Sequence, residues 1–245
     1  MRVKLVLEYD GTDFCGWQIQ PEKRTVQEEL ERAIERLTGK RSGVVGSGRT
    51  DSGVHAKMQV AHFDTDFTSI PADRYASALD SVLPPDVKVL KSEAAEENFH
   101  ARFSAKRKTY EYKIYYSAVE RPLKERYAAR VVVPLDAEKM NRACGYLIGE
   151  HDFRCFLASN SSVKDTVREI YSARVTTDGE DLTFTVCGNG FLYNMVRIIA
   201  GTLVKIGSGD IPPQAMAEII SKEDRSLAGK TMPAKGLTLK SVEYV

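Results

Sequence analysis

The sequence has no paired cysteines. Cys15, Cys144, Cys155 and Cys187 stand far apart, with no CxxC among them. Neither a disulfide framework nor a zinc knuckle is expected, and the thiols are read as reduced. The four histidines (His55, His62, His100 and His151) also lack metal-ligand spacing, so no metal site is predicted. No stretch near the start joins a basic head, an apolar middle and a small-residue cleavage site, so no secretory leader is expected. The longest apolar run, Met195 to Ile206, is too short for a bilayer and contains Arg197 and Lys205. Charge of one sign is not in excess either: 35 basic side chains face 34 acidic ones, for a net charge of +1. These absences point to a cytoplasmic protein without a membrane partner.

What is present is ordinary in bulk and uneven in detail. The 245 residues are 42% hydrophobic and 28% charged, enough for one large domain or two modest ones. Basic charge concentrates locally. From Phe99 to Lys113 the chain carries Arg102, Lys106, Arg107, Lys108 and Lys113 against Glu111, with Phe99, Phe103, Tyr110 and Tyr112 interleaved. Alone, such a run reads as a solvated charged face; interleaved aromatics also suit nucleic acid.

Periodicity divides the chain into two similar halves. In the first, Val3–Tyr9 alternates as a strand, and Val44-Val45 is a candidate short strand. Thr25 and Glu28 form a capping box before a helix with Val26, Leu30, Ala33, Ile34 and Leu37 on one stripe, closed by Gly39. Met58–Phe63 is a strand, a helix is predicted from Ala72 to Leu83 before Pro84-Pro85, and Val87–Ser92 is a strand. In the second half, Thr109–Tyr116 is a strand and Asp136 caps a helix carrying Met140, Ala143, Cys144 and Leu147. Val167–Thr176 and Leu182–Cys187 are strands around Thr177-Asp178-Gly179-Glu180, a hairpin signal. A helix is predicted from Phe191 to Ile206, a shorter one after Pro212-Pro213, and a final strand over Thr238–Tyr244. The βαββαβ order predicts an α+β protein of two ferredoxin-like (RRM-like) halves with mixed or antiparallel sheets. The halves are expected over 1–104 and 105–245, packed into one catalytic body with a central basic cleft.

The segment Gly43–Ala56, GVVGSGRTDSGVHA, looks at first like a P-loop with Arg49 in the lysine position. A P-loop needs a helix directly after it, and no helical stripe follows Thr50. Arg is not a neutral exchange for that lysine, and Asp51 would repel a phosphate. A plain surface loop remains an alternative, with glycines supplying positive φ. Gly48 and Gly53, however, bracket Arg49 and Asp51 closely enough for a ligand to approach the backbone. Arg197 bears on this choice. It is the single charged residue between Leu182 and Val204, in a segment apolar nearly all round and therefore expected to be buried. A buried cation needs partners. It could snorkel or bond backbone carbonyls, or it could pair with a carboxylate in a cleft.

The motif GRTDSGVHA (Gly48–Ala56) is similar to the signature of the tRNA pseudouridine synthase A family. So are YDGTDFCGWQ (Tyr9–Gln18), VQEELERAI (Val26–Ile34), NFHARFSAKRKTYEY (Asn98–Tyr112), HDF (His151–Phe153), GNGFLYNMVRIIAGTL (Gly188–Leu203) and AKGLTL (Ala234–Leu239). The resemblance spans the chain. It departs at Ser52, where alanine is expected, and after Phe153, where Arg154-Cys155 stands in place of a Ser-Ser or Thr-Ser pair. It implies isomerisation of uridine to pseudouridine at positions 38, 39 and 40 of the tRNA anticodon stem-loop. It also implies no cofactor, and a homodimer with tRNA as partner. Carried onto this sequence, it makes Asp51 the catalytic aspartate and Arg197 its partner. Tyr110 stacks on the target base, Leu237 packs on its other side, and Arg49 helps extrude it. Phe99, His100, Ala101, Arg102, Phe103, Lys106, Arg107 and Lys108 form the expected RNA-contacting strip, with Lys164 and Arg168 as further contacts. A catalytically silent RNA-binding module is the competing reading; it leaves Asp51 and Arg197 without a purpose.

Overall fold

A computed structural model describes residues 1–159 and 163–244. Contacts group Met1–Lys106 with the chain from Leu239 on, and Arg107–Thr238 as a second unit. The return of the last strand to the first unit is a long-range pairing without a local sequence signature.

In the first unit, alternation sets the central strand. β1 (Arg2–Tyr9) buries Val3, Leu5, Leu7 and Tyr9 on one face. It lies between β3 (His55–Asp64) and β4 (Val87–Ala95), antiparallel to both, and the short β2 (Val45–Gly46) pairs antiparallel with β3. α1 (Val26–Thr38) follows its sequence signals at both ends. The Thr25 hydroxyl accepts from the Glu28 N–H, and Gly39 ends the helix at φ 72°. The helix predicted from Ala72 to Leu83 is shorter than expected. It is a 3-10 turn over Ala72–Arg74 followed by α2 (Tyr75–Asp80). No side chain caps its start, and only the turn that buries Tyr75 and Leu79 stays α-helical.

The second unit contains β5 (Arg107–Tyr116), α3 (Pro122–Glu125), β6 (Ala129–Val131), α4 (Ala137–Gly145) and β7 (Gly149–Asp152). After these come β8 (Val167–Asp178), β9 (Asp181–Gly188), α5 (Met195–Gly207) and α6 (Ala215–Lys222), before β10 (Leu237–Glu243) leads out of it. The strand order is β5-β9-β8-β7 with antiparallel neighbours, and β6 runs parallel to β5. Asp178 faces Asp181 across a two-residue turn in which Gly179 takes φ 59°. α5 packs against α4 and β5 and buries Met195, Val196, Ile198, Ile199, Leu203 and Ile206. It begins four residues later than predicted. Asn194 adopts φ 60°, a left-handed conformation that cannot continue a right-handed helix.

The architecture is therefore mixed α+β, with mostly antiparallel strand pairing and few helices. Among the described residues no helix is long and apolar enough to cross a membrane.

Candidate active site and nucleic-acid interface

The loop from Ser47 to Val54 joins β2 to β3, and the chain after it enters a strand at His55. Backbone groups from Ser47 to Val54 are tied at several points along the loop. The Ser47 N–H donates to the Val60 carbonyl at 2.7 Å. Gln59, fully buried on β3, donates from Nε2 to the Gly48 carbonyl at 3.0 Å and accepts from Ser47 Oγ at 2.5 Å. The Thr50 carbonyl accepts from the Trp17 N–H at 3.0 Å, and Thr50 Oγ1 lies 2.8 Å from the Tyr9 hydroxyl. That contact is buried, and burial pushes the Tyr9 hydroxyl pKa up to about 12. The Asp51 carbonyl accepts from the Val54 N–H, closing a turn in which Gly53 takes φ 78°. The Phe14 carbonyl accepts from the Gly53 N–H and from the Ser52 hydroxyl.

The clamp on this loop is the segment Tyr9–Trp17, which packs too closely for side chains at two glycines. A Cβ on Gly11 would meet the Val54 carbonyl oxygen at 2.0 Å. One on Gly16, at φ 86°, would meet the Thr50 carbonyl oxygen at 2.7 Å. The Gly11 N–H also donates to His55 Nδ1 at 3.0 Å. Thr50, Val54 and His55 are buried, Asp51 is half-buried and Arg49 is exposed. The loop thus presents one carboxylate and one guanidinium from an otherwise immobilised backbone.

The turn at the start of the basic strip is a second built feature of the same unit. Residues 99–104 form a turn in which the Ser104 N–H donates to the His100 carbonyl at 2.9 Å and Ser104 Oγ accepts from the His100 N–H at 3.0 Å. His100 Nδ1 accepts from the N–H groups of Arg102 and Phe103. Ala101 is fully buried. Its N–H donates to His62 Nδ1 at 3.2 Å and its carbonyl accepts from the Tyr244 hydroxyl at 2.7 Å. Burial, Arg2 and His100 together hold the His62 pKa below its ordinary value, which favours the neutral ring that an accepting Nδ1 requires. The Arg2 guanidinium donates to the Phe99 carbonyl at 2.8 Å and is held by Asp64. Pinned in this way, the turn presents Arg102 and Phe103 outward, with the guanidinium 5.6 Å from the ring centroid and Phe103 75% exposed. Lys106 and Arg107 are exposed and Lys108 is half-buried.

The second unit gathers the other expected residues around β5 and the start of α5. Tyr110 is buried on β5 opposite Val186, with Phe191 edge-on at 5.1 Å. Arg197 is half-buried, although its neighbours on α5 are buried. Its Nε donates to the Met232 carbonyl at 2.7 Å and its Nη1 to Asn194 Oδ1 at 2.5 Å. The Met232 N–H donates back to the Arg197 carbonyl. Of the partners weighed from sequence, a backbone carbonyl is therefore one that Arg197 has. Leu237 is buried at the start of β10, directly after a 3-10 turn over Ala234–Gly236. That turn rests on β5: the Tyr112 hydroxyl donates to the Pro233 carbonyl at 2.7 Å, and a Cβ on Gly236 would meet the Tyr112 ring at 2.7 Å. Lys164 is exposed, and Arg168 is half-buried beside Asp165. Among the described residues no group of three or more His, Cys, Asp or Glu side chains could hold a metal ion.

Several residues that shape these features were not singled out from sequence. Gln59 and His62 are polar side chains in the buried run from Gln59 to Phe63 of β3, a weak signal that they serve as anchors. Asn194 follows Gly190 in a motif-bearing stretch, but nothing local announces its backbone conformation. Tyr9 and Trp17 stood within a matched motif, yet only the packing shows what they hold.

Comparison with known proteins agrees along the whole chain. The family described as "tRNA pseudouridine synthase" matches residues 5–104 and 143–245. A protein of Bacillus pumilus named tRNA pseudouridine synthase A is 49% identical over 246 residues, spanning 100% of this chain and 99% of its own length. Proteins of the same name from Brevibacillus brevis and Caldicellulosiruptor bescii are 48% and 46% identical, each match spanning 99% of both chains. With matches of this extent and similarity, the chain belongs to the tRNA pseudouridine synthase family.

Proposed function

We propose that this protein isomerises uridine to pseudouridine in the anticodon stem-loop of tRNA, at positions 38, 39 and 40, with Asp51 as the catalytic carboxylate. The observation that carries this reading is the clamped Ser47–Val54 loop, which offers a half-buried carboxylate from a backbone held by Tyr9, Phe14, Trp17 and Gln59. The full-length relatives named tRNA pseudouridine synthase A support the substrate class.

In the net reaction the bond from ribose C1′ to N1 of uracil breaks and a bond from C1′ to C5 forms. C5 loses a proton and N1 gains one, so no electrons are transferred overall. A carboxylate serves such chemistry only when ionised, and the role that the family resemblance gives Arg197 is to favour that form against desolvation. The target uridine must leave the stack, at a cost of about a few kcal/mol. Arg49, exposed two residues before Asp51, fills the vacated space. Tyr110, its ring fixed by Phe191, stacks on the extruded base, a contact worth roughly 1–3 kcal/mol in comparable sites. Leu237 covers the other face. Arg102, Phe103, Lys106, Arg107, Lys108, Lys164 and Arg168 meet the RNA, mostly through its backbone and shape.

Each half is read as ferredoxin-like, and the β1–α1–β2–β3–α2–β4 order with β4-β1-β3 pairing supports this for the first. The protein acts in the cytoplasm as a homodimer; the exposed apolar side chains of Val119, Leu123 and Val132 support a second copy covering part of the second unit.

The test is to incubate unmodified tRNA with the protein and map pseudouridine along the anticodon stem-loop. Modification by the native protein, none by Asp51→Ala, and tRNA binding retained by that variant are expected. Modification that survives Asp51→Ala overturns the mechanism, and tRNA binding without any modification favours the silent binding module.

A further inference from the structure

Asn194 sits at the N-terminal boundary of α5, where asparagine ordinarily accepts a hydrogen bond from the N–H two or three residues on. Here it makes no such cap. Its backbone is left-handed, at φ 60° and ψ 6°, and its Oδ1 is instead 2.5 Å from Nη1 of Arg197. On the same side chain, Nε of Arg197 donates to the Met232 carbonyl at 2.7 Å. Two separate donors of one guanidinium are thereby fixed by two acceptors from different parts of the second unit. A planar fork held at both Nε and Nη1 cannot swing about its last torsions, so its plane and direction are set before any substrate arrives. The Met232 acceptor is itself held in place. Its N–H donates to the Arg197 carbonyl. Upstream, the Gly229 N–H donates to Thr202 Oγ1 at 2.8 Å, and a Cβ on Gly201 would meet the Lys230 carbonyl oxygen at 1.9 Å.

We propose that Asn194 is a positioning residue for the isomerisation: it forgoes helix capping to aim the Arg197 guanidinium. This rests on the reading that Arg197 serves the reaction. The left-handed backbone follows from the same role, because it turns the side chain back along α5 instead of toward the helix N–H groups. Asparagine is among the few non-glycine residues that adopt this conformation readily.

The geometry supplies its own control. Glycine at 194 keeps the left-handed backbone at no steric cost and removes the side-chain amide that carries Oδ1. Asn194→Gly is expected to melt within a few degrees of the native protein and to bind tRNA with unchanged affinity. It should lose about tenfold in the single-turnover rate at saturating enzyme, the kinetic equivalent of one hydrogen bond to a charged group. Asn194→Asp, which restores an acceptor at the same reach, is expected to recover most of that rate. An Asn194→Gly rate equal to the native one overturns the proposal, as does an Asn194→Asp rate as low as that of the glycine variant. Arg197→Ala separates the two levels. If it retains the native rate, the role of Arg197 is wrong; if it loses the rate while Asn194→Gly does not, only the positioning role fails.

Discussion

The Ser47–Val54 loop and the 99–104 turn lie in the same unit, and each presents an arginine to solvent, yet they are held in opposite ways. The loop is held chiefly by backbone contacts: two glycines let Tyr9–Trp17 come close enough for N–H to carbonyl bonds. The turn is held mainly by side chains, with His62, His100, Tyr244 and Arg2 each bonding its backbone. A clamp built on close backbone approach tolerates little change in shape. A histidine-pinned turn tolerates more, but it responds to protons. The difference suits the proposed division of labour, since a reacting carboxylate needs fixed geometry while a surface that follows an RNA backbone does not.

The largest effect expected from this contrast is on the clamp. Gly11→Ala places a methyl against the Val54 carbonyl oxygen, where an ideal Cβ would sit 2.0 Å away. It is expected to lower unfolding stability by about 3 kcal/mol, read from a urea midpoint, and to abolish modification. A native-like midpoint would show that the loop yields more easily than its packing implies.

The next effect belongs to the turn. In the unfolded chain His62 titrates near its ordinary 6.5; in the folded chain burial, Arg2 and His100 lower its pKa, with Asp64 opposing them. Just below 6.5 the unfolded chain therefore binds more protons than the folded one. The stability that neutral His62 contributes is complete above that pH and is lost as pH falls through the folded value. Urea titrations between pH 7 and pH 5 should show this loss in the native protein and a shallower one in His62→Gln. Equal slopes would remove His62 from the account.

Tyr9→Phe is a smaller probe of the clamp. It deletes the buried contact with Thr50 Oγ1, and a loss of about 1 kcal/mol is expected, with kcat falling more than KM rises. Smallest is Arg102→Ala on the exposed turn. It should weaken tRNA binding evenly across sequences and reduce the salt slope of log K by about 1, leaving the single-turnover rate at saturation unchanged. A lowered saturated rate would break the separation between the two regions.

Much of the fold was legible because its signals are local. The Thr25 cap and the Gly39 stop of α1, the alternation of β1 and the turn at Gly179 each depend on residues adjacent in sequence. The exclusion of a phosphate loop was legible for the same reason, since no helix follows Thr50 and the structure enters β3 there. Three features were not. The Ala72–Leu83 helix shrank because its propensity was not supported by caps. The parallel strand β6 forms only against β5, and no pattern in three residues reveals it. Asn194 stops the predicted Phe191 helix through a backbone angle that its partner, Arg197, makes useful.

The sequence by itself determined most of the element types and marked the isolated cation and the loop carboxylate as residues that need an explanation. It could do so because charge, periodicity and turn chemistry are written within a few residues of each other. Only the tertiary structure decided that Tyr9–Trp17 immobilises the loop, that His62 and Tyr244 pin the basic turn, and that Asn194 and Met232 share the Arg197 guanidinium. Each of these joins groups remote in the chain or depends on a backbone angle, and such bonds exist only once the apolar core has brought their partners together.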